Sequence, residues 1–455
     1  MKLRSPLMLL IVACLSSVLS NAQKDLTIIR GHVEKENVRK LFLFQVIEGE
    51  MTEYATTLPD ADKNYAFALA NVKEGFYYIG DNLRSKNRFY LKAGESVTLD
   101  LKDDGYDISG KSAENKLMDE WEKLYSEIAN PAFNFVKENS TYVTYFPILK
   151  EFIPKAEAFK KKINTRNKNF NSLLTMVVDS DVEFAALQYL YTPRSAHPSK
   201  EEYPDYYKTI VQPGKFCDKR LLLLGDAVSR MDRYTLYSTL NSGTKLKPEE
   251  MMQRSVEAIC NDTLKGVYLS SRLSRYKSLE NLQADMSPYK KYLLTDSIKA
   301  KYLRAETALA TYAAGEKAFN FAYPTVSGDI VSLKDLSGKI VFVDTWATWC
   351  GPCKVEIPHM KKLEEELKDK NIAFVSISVD EAKDHQKWMD YVKKENLGGI
   401  QLYAKGFSSE FAQYYKINAI PRFLIFDKEG KIVTVDSPRP SQPELKELLL
   451  KLSSM

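Results

Sequence analysis

Short runs of aromatic and β-branched residues dominate the first part of the chain. They cover Leu26 to Val33, Lys40 to Ile47, Tyr65 to Val72, Phe76 to Gly80 and Arg88 to Leu101. Turn clusters such as Pro59-Asp60-Ala61-Asp62 and Lys92-Ala93-Gly94-Glu95 separate them. Several short strands at this spacing predict a small antiparallel β-sandwich or barrel over residues 23–110. Over residues 111–316 the period becomes helical. Leu117, Trp121, Leu124 and Ile128 recur on one face, as do Ile298, Tyr302 and Leu309. Pro131, Pro147, Pro193, Pro213 and Pro288 are expected to divide this all-α region into separate helices. Its tyrosines, among them Tyr189, Tyr191, Tyr203, Tyr206 and Tyr207, read as packing between helices, with a peptide groove as the alternative.

The last stretch, residues 317–455, alternates between the two periods. Strands are predicted at Ile340–Val343, Ala373–Val379 and Phe423–Phe426, the last turning through Lys428-Glu-Gly-Lys431 into Ile432–Val435. Helices are predicted at about Cys353–Asp369, Asp384–Glu395, Ser409–Tyr415 and Gln442–Leu452. This alternation predicts an α/β domain with helices on both sheet faces and an antiparallel hairpin at its end. The whole chain therefore reads as multidomain.

The chemistry concentrates where the first of these strands meets its helix, at Cys350-Gly351-Pro352-Cys353. The thiolate is the reactive form of cysteine, and a helix N-terminus stabilises negative charge through its free N–H groups and dipole. Cys350, on the strand side, is expected to be the exposed, acidified nucleophile. Cys353, one turn into the helix, is expected to resolve the mixed disulfide. Gly351 and Pro352 make a tight link, and proline is tolerated in a first turn that needs no internal N–H bond.

Composition narrows the setting. The 455 residues are 44% hydrophobic and carry 65 basic against 60 acidic side chains, a net charge of +5. That balance points to neither nucleic acid nor an anionic membrane as partner, and the Lys and Glu clusters read as solvated helix faces. Lys2 and Arg4 precede the apolar run Leu7 to Leu15, with a small-residue end at Ser20-Asn21-Ala22. This is the three-part pattern of a secretory signal over residues 1–22, which places the mature chain in the periplasm or cell envelope. Ile11-Val12-Ala13-Cys14 also resembles a bacterial lipobox, so a membrane anchor is expected only if Cys14 is lipidated. No later run is long and apolar enough to span a bilayer. Cysteines are too few for a disulfide-stapled scaffold, and the sequence leaves open whether Cys217 and Cys260 pair. His32, His197, His359 and His385 are scattered without ligand spacing, so no metal site is expected, and no cofactor.

Around the cysteines, Trp349-Cys350-Gly351-Pro352-Cys353-Lys354 is similar to the active-site signature of the thioredoxin superfamily. Asp344 falls where those proteins carry a buried acid beneath the cysteines, and Pro358 where a proline kinks the active-site helix. Ile420-Pro421 resembles their cis-proline loop, whose backbone edge would be free to pair with a substrate strand. A finer resemblance is to the TlpA/ResA-like envelope thiol oxidoreductases. Glu356-Ile357-Pro358 looks like their Glu-x-Pro, and Asp380–Glu395 sits where they carry an inserted helix. The resemblance covers residues 317–455, and the region upstream resembles the N-terminal extensions that precede such domains. One departure is Asp344 itself, since TlpA/ResA-type proteins often have an amide there.

The resemblance implies a thioredoxin-like fold and a thiol-disulfide oxidoreductase with Cys350 and Cys353 as its redox pair. Trp349, Gly351, Pro352 and Pro421 would shape the site. A buried Asp344 would shuttle the proton of Cys353, or else pair with local backbone amides. Glu356 is either a second acid–base group or a solvated first-turn residue. Gly-Pro is the thioredoxin dipeptide, and thioredoxin lies about 150 mV below DsbA, about 7 kcal/mol for two electrons, which favours reduction. The expected partners are disulfide-containing protein clients and a membrane electron-donor thiol oxidoreductase. Cytochrome c maturation and general redox homeostasis both fit. A thiol peroxidase is one alternative, although Ala347 stands where such sites place a hydroxyl. The other is an envelope binding protein with an accessory redox domain.

Overall fold

The computed structural model describes residues 26–82, 87–103, 105–110, 112–133, 140–194, 196–241 and 248–454. The predicted export signal, with Cys14, lies outside them. The chain forms two compact units, Met1–Leu269 and Ser270–Met455.

In the first unit, β1 (Thr27–His32), β2 (Leu41–Ile47), β3 (Glu50–Thr57), β4 (Asn64–Leu69), β5 (Gly75–Gly80), β6 (Asn87–Leu91), β7 (Ser96–Lys102) and β8 (Gly105–Ser109) build two sheets. Their orders are β4-β1-β7-β8 and β3-β2-β5-β6. Alternate residues of both sheets, including Ile29, Leu43, Phe67, Ile79, Phe89 and Leu99, share one core, which makes this a sandwich. The pairing is not wholly antiparallel, because β1 and β7 run parallel. The chain visits the second sheet between them, so they meet by a crossover rather than a hairpin. The run Arg88 to Leu101 holds two strands, and β3 and β8 were not anticipated. β3 follows β2 through Glu48 and Gly49, both at positive φ (50° and 80°), the two-residue turn that matches strand twist.

The helices are α1 (Ala113–Phe133), α2 (Tyr142–Lys162), α3 (Lys168–Tyr191), α4 (Tyr206–Ile210), α5 (Ala227–Asn241), α6 (Pro248–Glu257) and α7 (Asp262–Ser270). Pro131 and Pro147 do not end helices as expected. They lie inside α1 and α2, as does Pro154. Each removes the bond to a carbonyl four residues back, and those residues, Glu127, Val143 and Lys150, are exposed to solvent. The tyrosines pack between helices. Tyr145 stacks on Tyr189 at 3.8 Å between centroids, and Tyr207 lies among Phe146, Tyr203 and Tyr237.

Sheet and helices of this unit share a buried charge cluster. Asp181 of α3, fully buried, accepts from Arg88 of β6 (2.6 Å), Arg230 of α5 (2.7 Å) and the Trp121 indole of α1 (2.7 Å). Burial would raise the Asp181 carboxyl, but the two guanidiniums outweigh it and hold it below its usual range. At the sheet edge, the Asn115 side chain satisfies both backbone groups of Tyr90, at 2.9 and 2.8 Å. Cys217 and Cys260 form a disulfide.

The second unit begins with α8 (Leu279–Met286) and α9 (Asp296–Ala310), inside the stretch read as helical from the sequence. The Ala314 N–H bonds Glu280 at 2.8 Å and Asn281 bonds Asp436 at 3.4 Å, which ties α8 to the α/β part. A small hairpin, β9 (Ala322–Pro324) and β10 (Ile330–Ser332), precedes β11 (Ile340–Trp346), α10 (Gly351–Glu366), β12 (Ile372–Ser378), α11 (His385–Lys394), β13 (Ile400–Tyr403), α12 (Glu410–Tyr414), β14 (Arg422–Phe426), β15 (Ile432–Thr434) and α13 (Pro443–Ser453). The sheet order is β13-β12-β11-β14-β15, with the first three parallel and the last two antiparallel. Successive β11 residues feed opposite faces. Val341 and Val343 pack towards Phe411 and Tyr415, whereas Ile340 and Phe342 pack towards Met360, Leu363, Leu445 and Leu449. Helices thus cover both faces of a thioredoxin-like sheet. Among the described residues no helix is long and apolar enough to cross a membrane.

Candidate active site

β11 ends at Trp346, and the chain turns through Ala347, Thr348 and Trp349 into Cys350, the N-cap of α10. Gly351 and Pro352 occupy the first two helical positions, and Cys353 the third. Cys350 and Cys353 are joined as a disulfide. The Cys353 N–H donates to the Cys350 sulfur at 3.1 Å. Cys350 is not exposed as expected: its exposure is 4% against 3% for Cys353. Both cysteines belong to a buried apolar cluster with Trp346, Val379, Trp388 and Tyr403, and Phe407 and Ile420 pack against it. What distinguishes the two cysteines is the helix end, where the Cys353 N–H points at the Cys350 sulfur.

The outer rim is apolar. Trp349 is 52% exposed and lies against Phe407, 6.3 Å between centroids. Gly351 and Pro352 are exposed beside it. The Ile420-Pro421 peptide is cis. Pro421 enters β14, whose Arg422 pairs with Thr345 at the end of β11, so the register brings this loop to the cysteines.

Between β11 and α10 lies a cavity of about 20 Å³ lined by Asp344, Trp346, Glu356, Met360, Lys361 and Glu364, among others. That is room for about one water. Glu356 and Met360 continue the helical face of Cys353 at spacings of three and seven, so the cavity opens on the side of α10 that carries the second cysteine. Asp344 is half-buried rather than fully buried; loss of hydration first, then the carboxylates of Glu356 and Glu364, push its carboxyl up to about 8. Burial likewise pushes Glu364 up, against Lys361. Glu356 is no solvated first-turn residue. It is buried and accepts the Ser441 N–H (2.9 Å) and hydroxyl (3.0 Å), with Arg439 at 3.8 Å.

One contributor escaped the sequence reading. Asp380, fully buried at the end of β12, accepts the Thr348 N–H at 2.9 Å, its hydroxyl at 2.7 Å and the Ser378 hydroxyl at 2.8 Å. It fixes the backbone two residues ahead of Cys350. The Ser-Val-Asp end of the strand was visible, but its partner lies a strand away. His385 packs on Tyr403 (4.3 Å) and Trp388 (5.7 Å). Among the described residues no group of three or more His, Cys, Asp and Glu side chains could hold a metal ion.

A disulfide across two intervening residues at a helix start, with a high-pKa acid on the adjoining strand, is equipped to exchange thiols and move a proton. A family model described as the AhpC/TSA family matches residues 314–435. The thiol-disulfide oxidoreductase ResA of Bacillus thuringiensis subsp. konkukian is 31% identical over 139 residues, 30% of this chain and 78% of that protein. The chain belongs to the ResA-like thiol-disulfide oxidoreductases. The ResA-like part is also 31% identical over 137 residues to the thioredoxin-like protein YneN of Bacillus subtilis, covering 30% of this chain and 78% of that one. A solution structure described as a thiol-disulfide oxidoreductase from Bacteroides vulgatus is 46% identical, covering 29% of this chain and 86% of that one, at a TM-score of 0.27. This ResA-like protein is therefore an oxidoreductase acting on disulfides, and its N-terminal unit lies outside the family match.

Proposed function

We propose that the protein is an exported, envelope-facing disulfide reductase in which Cys350 is the nucleophile and Cys353 the resolving thiol. The observation that carries this reading is the Cys353 N–H on the Cys350 sulfur at the start of α10. In the reduced state the same N–H and the helix dipole favour the Cys350 thiolate over that of Cys353. The thiolate attacks a client disulfide and forms a mixed disulfide. Cys353 then loses its proton, attacks Cys350 and releases the client as a dithiol.

Asp344 is the base for that second step. A group near 8 is partly ionised at neutral pH and basic enough to take a thiol proton, close to the optimum for general base catalysis. The single-water cavity at Asp344, on the Cys353 side of α10, offers the path. Trp349, Pro421 and the exposed Gly351-Pro352 edge form the client-facing rim. Clients are disulfide-bearing proteins, the haem-site thiols of apocytochromes c among them. An envelope reductase also requires a membrane thiol oxidoreductase as electron donor.

Cys353→Ser in the full chain, expressed in its native envelope, is expected to accumulate mixed disulfides with clients, and Cys350→Ser to accumulate none. Equal trapping by both variants, or a potential near that of DsbA, about −120 mV, would overturn the reading. A thiol peroxidase is disfavoured because Ala347, buried beside Cys350, supplies no hydroxyl; turnover of peroxide as fast as insulin reduction would restore it.

A further inference from the structure

The disulfide of the first unit, Cys217–Cys260, sits in surroundings unlike those of a buried staple. Both cysteines are exposed, and Cys217 lies on the lip of a cleft of about 930 Å³ between α2, α3 and the segment that carries it. That segment holds two residues in the left-handed region, Gly214 (φ 73°) and Phe216 (φ 57°). An aromatic residue there is held at a cost that neighbouring contacts must cover. The contacts are present. The Cys260 N–H bonds the Lys215 carbonyl at 2.8 Å, and the Asn261 N–H bonds that of Phe216 at 3.0 Å. The Phe216 ring packs edge-on against Tyr234 at 5.1 Å, and Lys215 pairs with Glu183. These bonds tie the backbones that carry the two cysteines together beside the sulfur bridge. Opening the bridge therefore leaves two thiols poised to close it again. Exposed disulfides are the labile ones in thiol exchange.

We propose that Cys217–Cys260 is a second redox centre, opened by the reduced Cys350/Cys353 dithiol. This rests on the reading of Cys350 and Cys353 as an exchanging pair. The Cys350 thiolate attacks one sulfur of the bridge, forming a mixed disulfide and releasing the other cysteine as a thiolate. Cys353, as thiolate, then displaces the second cysteine from Cys350. Two electrons pass to Cys217 and Cys260, which take up two protons, and Cys350–Cys353 ends as the disulfide. The dithiol comes from the same chain or from a second copy, and the chemistry is identical.

The test uses the full oxidised chain and its Cys350→Ser variant, each given limiting dithiothreitol, quenched in acid and alkylated, with every cysteine read by mass spectrometry. Thiols at 217 and 260 are expected to appear at least ten-fold faster in the unsubstituted chain, with its circular dichroism unchanged. A rate independent of protein concentration assigns the dithiol to the same chain, a proportional one to a second copy, and both support the proposal. Cys353→Ser is expected to give a peptide joining Cys350 to Cys217 or Cys260. Equal rates in the two chains, or opening only with loss of structure, overturn the proposal while insulin is still reduced. If insulin is not reduced either, the function proposed for Cys350 and Cys353 falls first and this inference with it.

Discussion

Replacing Asp344 by asparagine keeps the shape of the side chain and removes its proton. In the disulfide form the carboxyl stands near 8 instead of 3.8. Between those values the folded state binds one proton more than the unfolded chain. Stability therefore falls as pH rises through the window, at about 1.4 kcal/mol per pH unit. Below pH 3.8 both states are protonated and the penalty is absent; above pH 8 it is complete. From pH 4 to pH 7 the loss amounts to about 4 kcal/mol. Asp344→Asn has no such slope, so it should equal the unsubstituted protein near pH 4 and exceed it by about 4 kcal/mol at pH 7. Hydrogen exchange in peptides from Ile340–Trp346, followed from pH 4.5 to 9 after correction for intrinsic exchange, reads this without interference from the first unit. The same variant should release client from the Cys350 mixed disulfide about 100-fold more slowly, and without an inflection near 8. Parallel stability curves for the two proteins would refute the argument, because Asp344 would then titrate as it does in water.

Glu356→Gln removes one of the charges that raise Asp344 and weakens the acceptor for Ser441; the release inflection should move to lower pH while stability drops by about 1–3 kcal/mol, seen in urea titration. Asp380→Ala leaves the Thr348 N–H and two hydroxyls without their acceptor, at a cost of about 3 kcal/mol in the second unit and with slower insulin reduction, whereas Asp380→Asn should keep part of both. Asp181→Ala leaves Arg88 to Glu122 and Arg230 to Asp226 and takes the acceptor from the Trp121 indole; it should destabilise the first unit by about 3 kcal/mol, while insulin reduction stays unchanged.

The reactive strand and helix were legible because their signals are local. Ile340 to Val343 is an unbroken apolar run, and Met360 and Leu363 recur at helical spacing. β3 carries Glu50, Thr52, Glu53, Thr56 and Thr57 on an edge, where nothing demands apolar residues, so its sequence looks like loop. β13 has four residues behind two glycines, too short for a period to show. Proline positions misled because a helix tolerates proline where the freed carbonyl faces water, and exposure is a tertiary property. Glu356 and Asp380 share a different obstacle. Each takes its meaning from partners far along the chain, Ser441 for one and Thr348 for the other, and no local pattern records such a meeting. The pairing of Cys217 with Cys260 belongs to the same class.

The charge cluster around Asp181 bears on how such a chain can be cut and recombined. Arg88 comes from the sandwich, while Asp181, Glu122 and Arg230 come from three helices that follow it. A gene fragment ending near residue 110 would carry the sandwich with a guanidinium aimed at nothing, and the complementary fragment would leave Glu122 without its guanidinium and Asp181 with Arg230 alone. Neither piece is a portable module. Separation of segments is therefore penalised at the visible change from strands to helices, because the cluster spans it. The smallest block that keeps the cluster whole runs from the sandwich through Arg230.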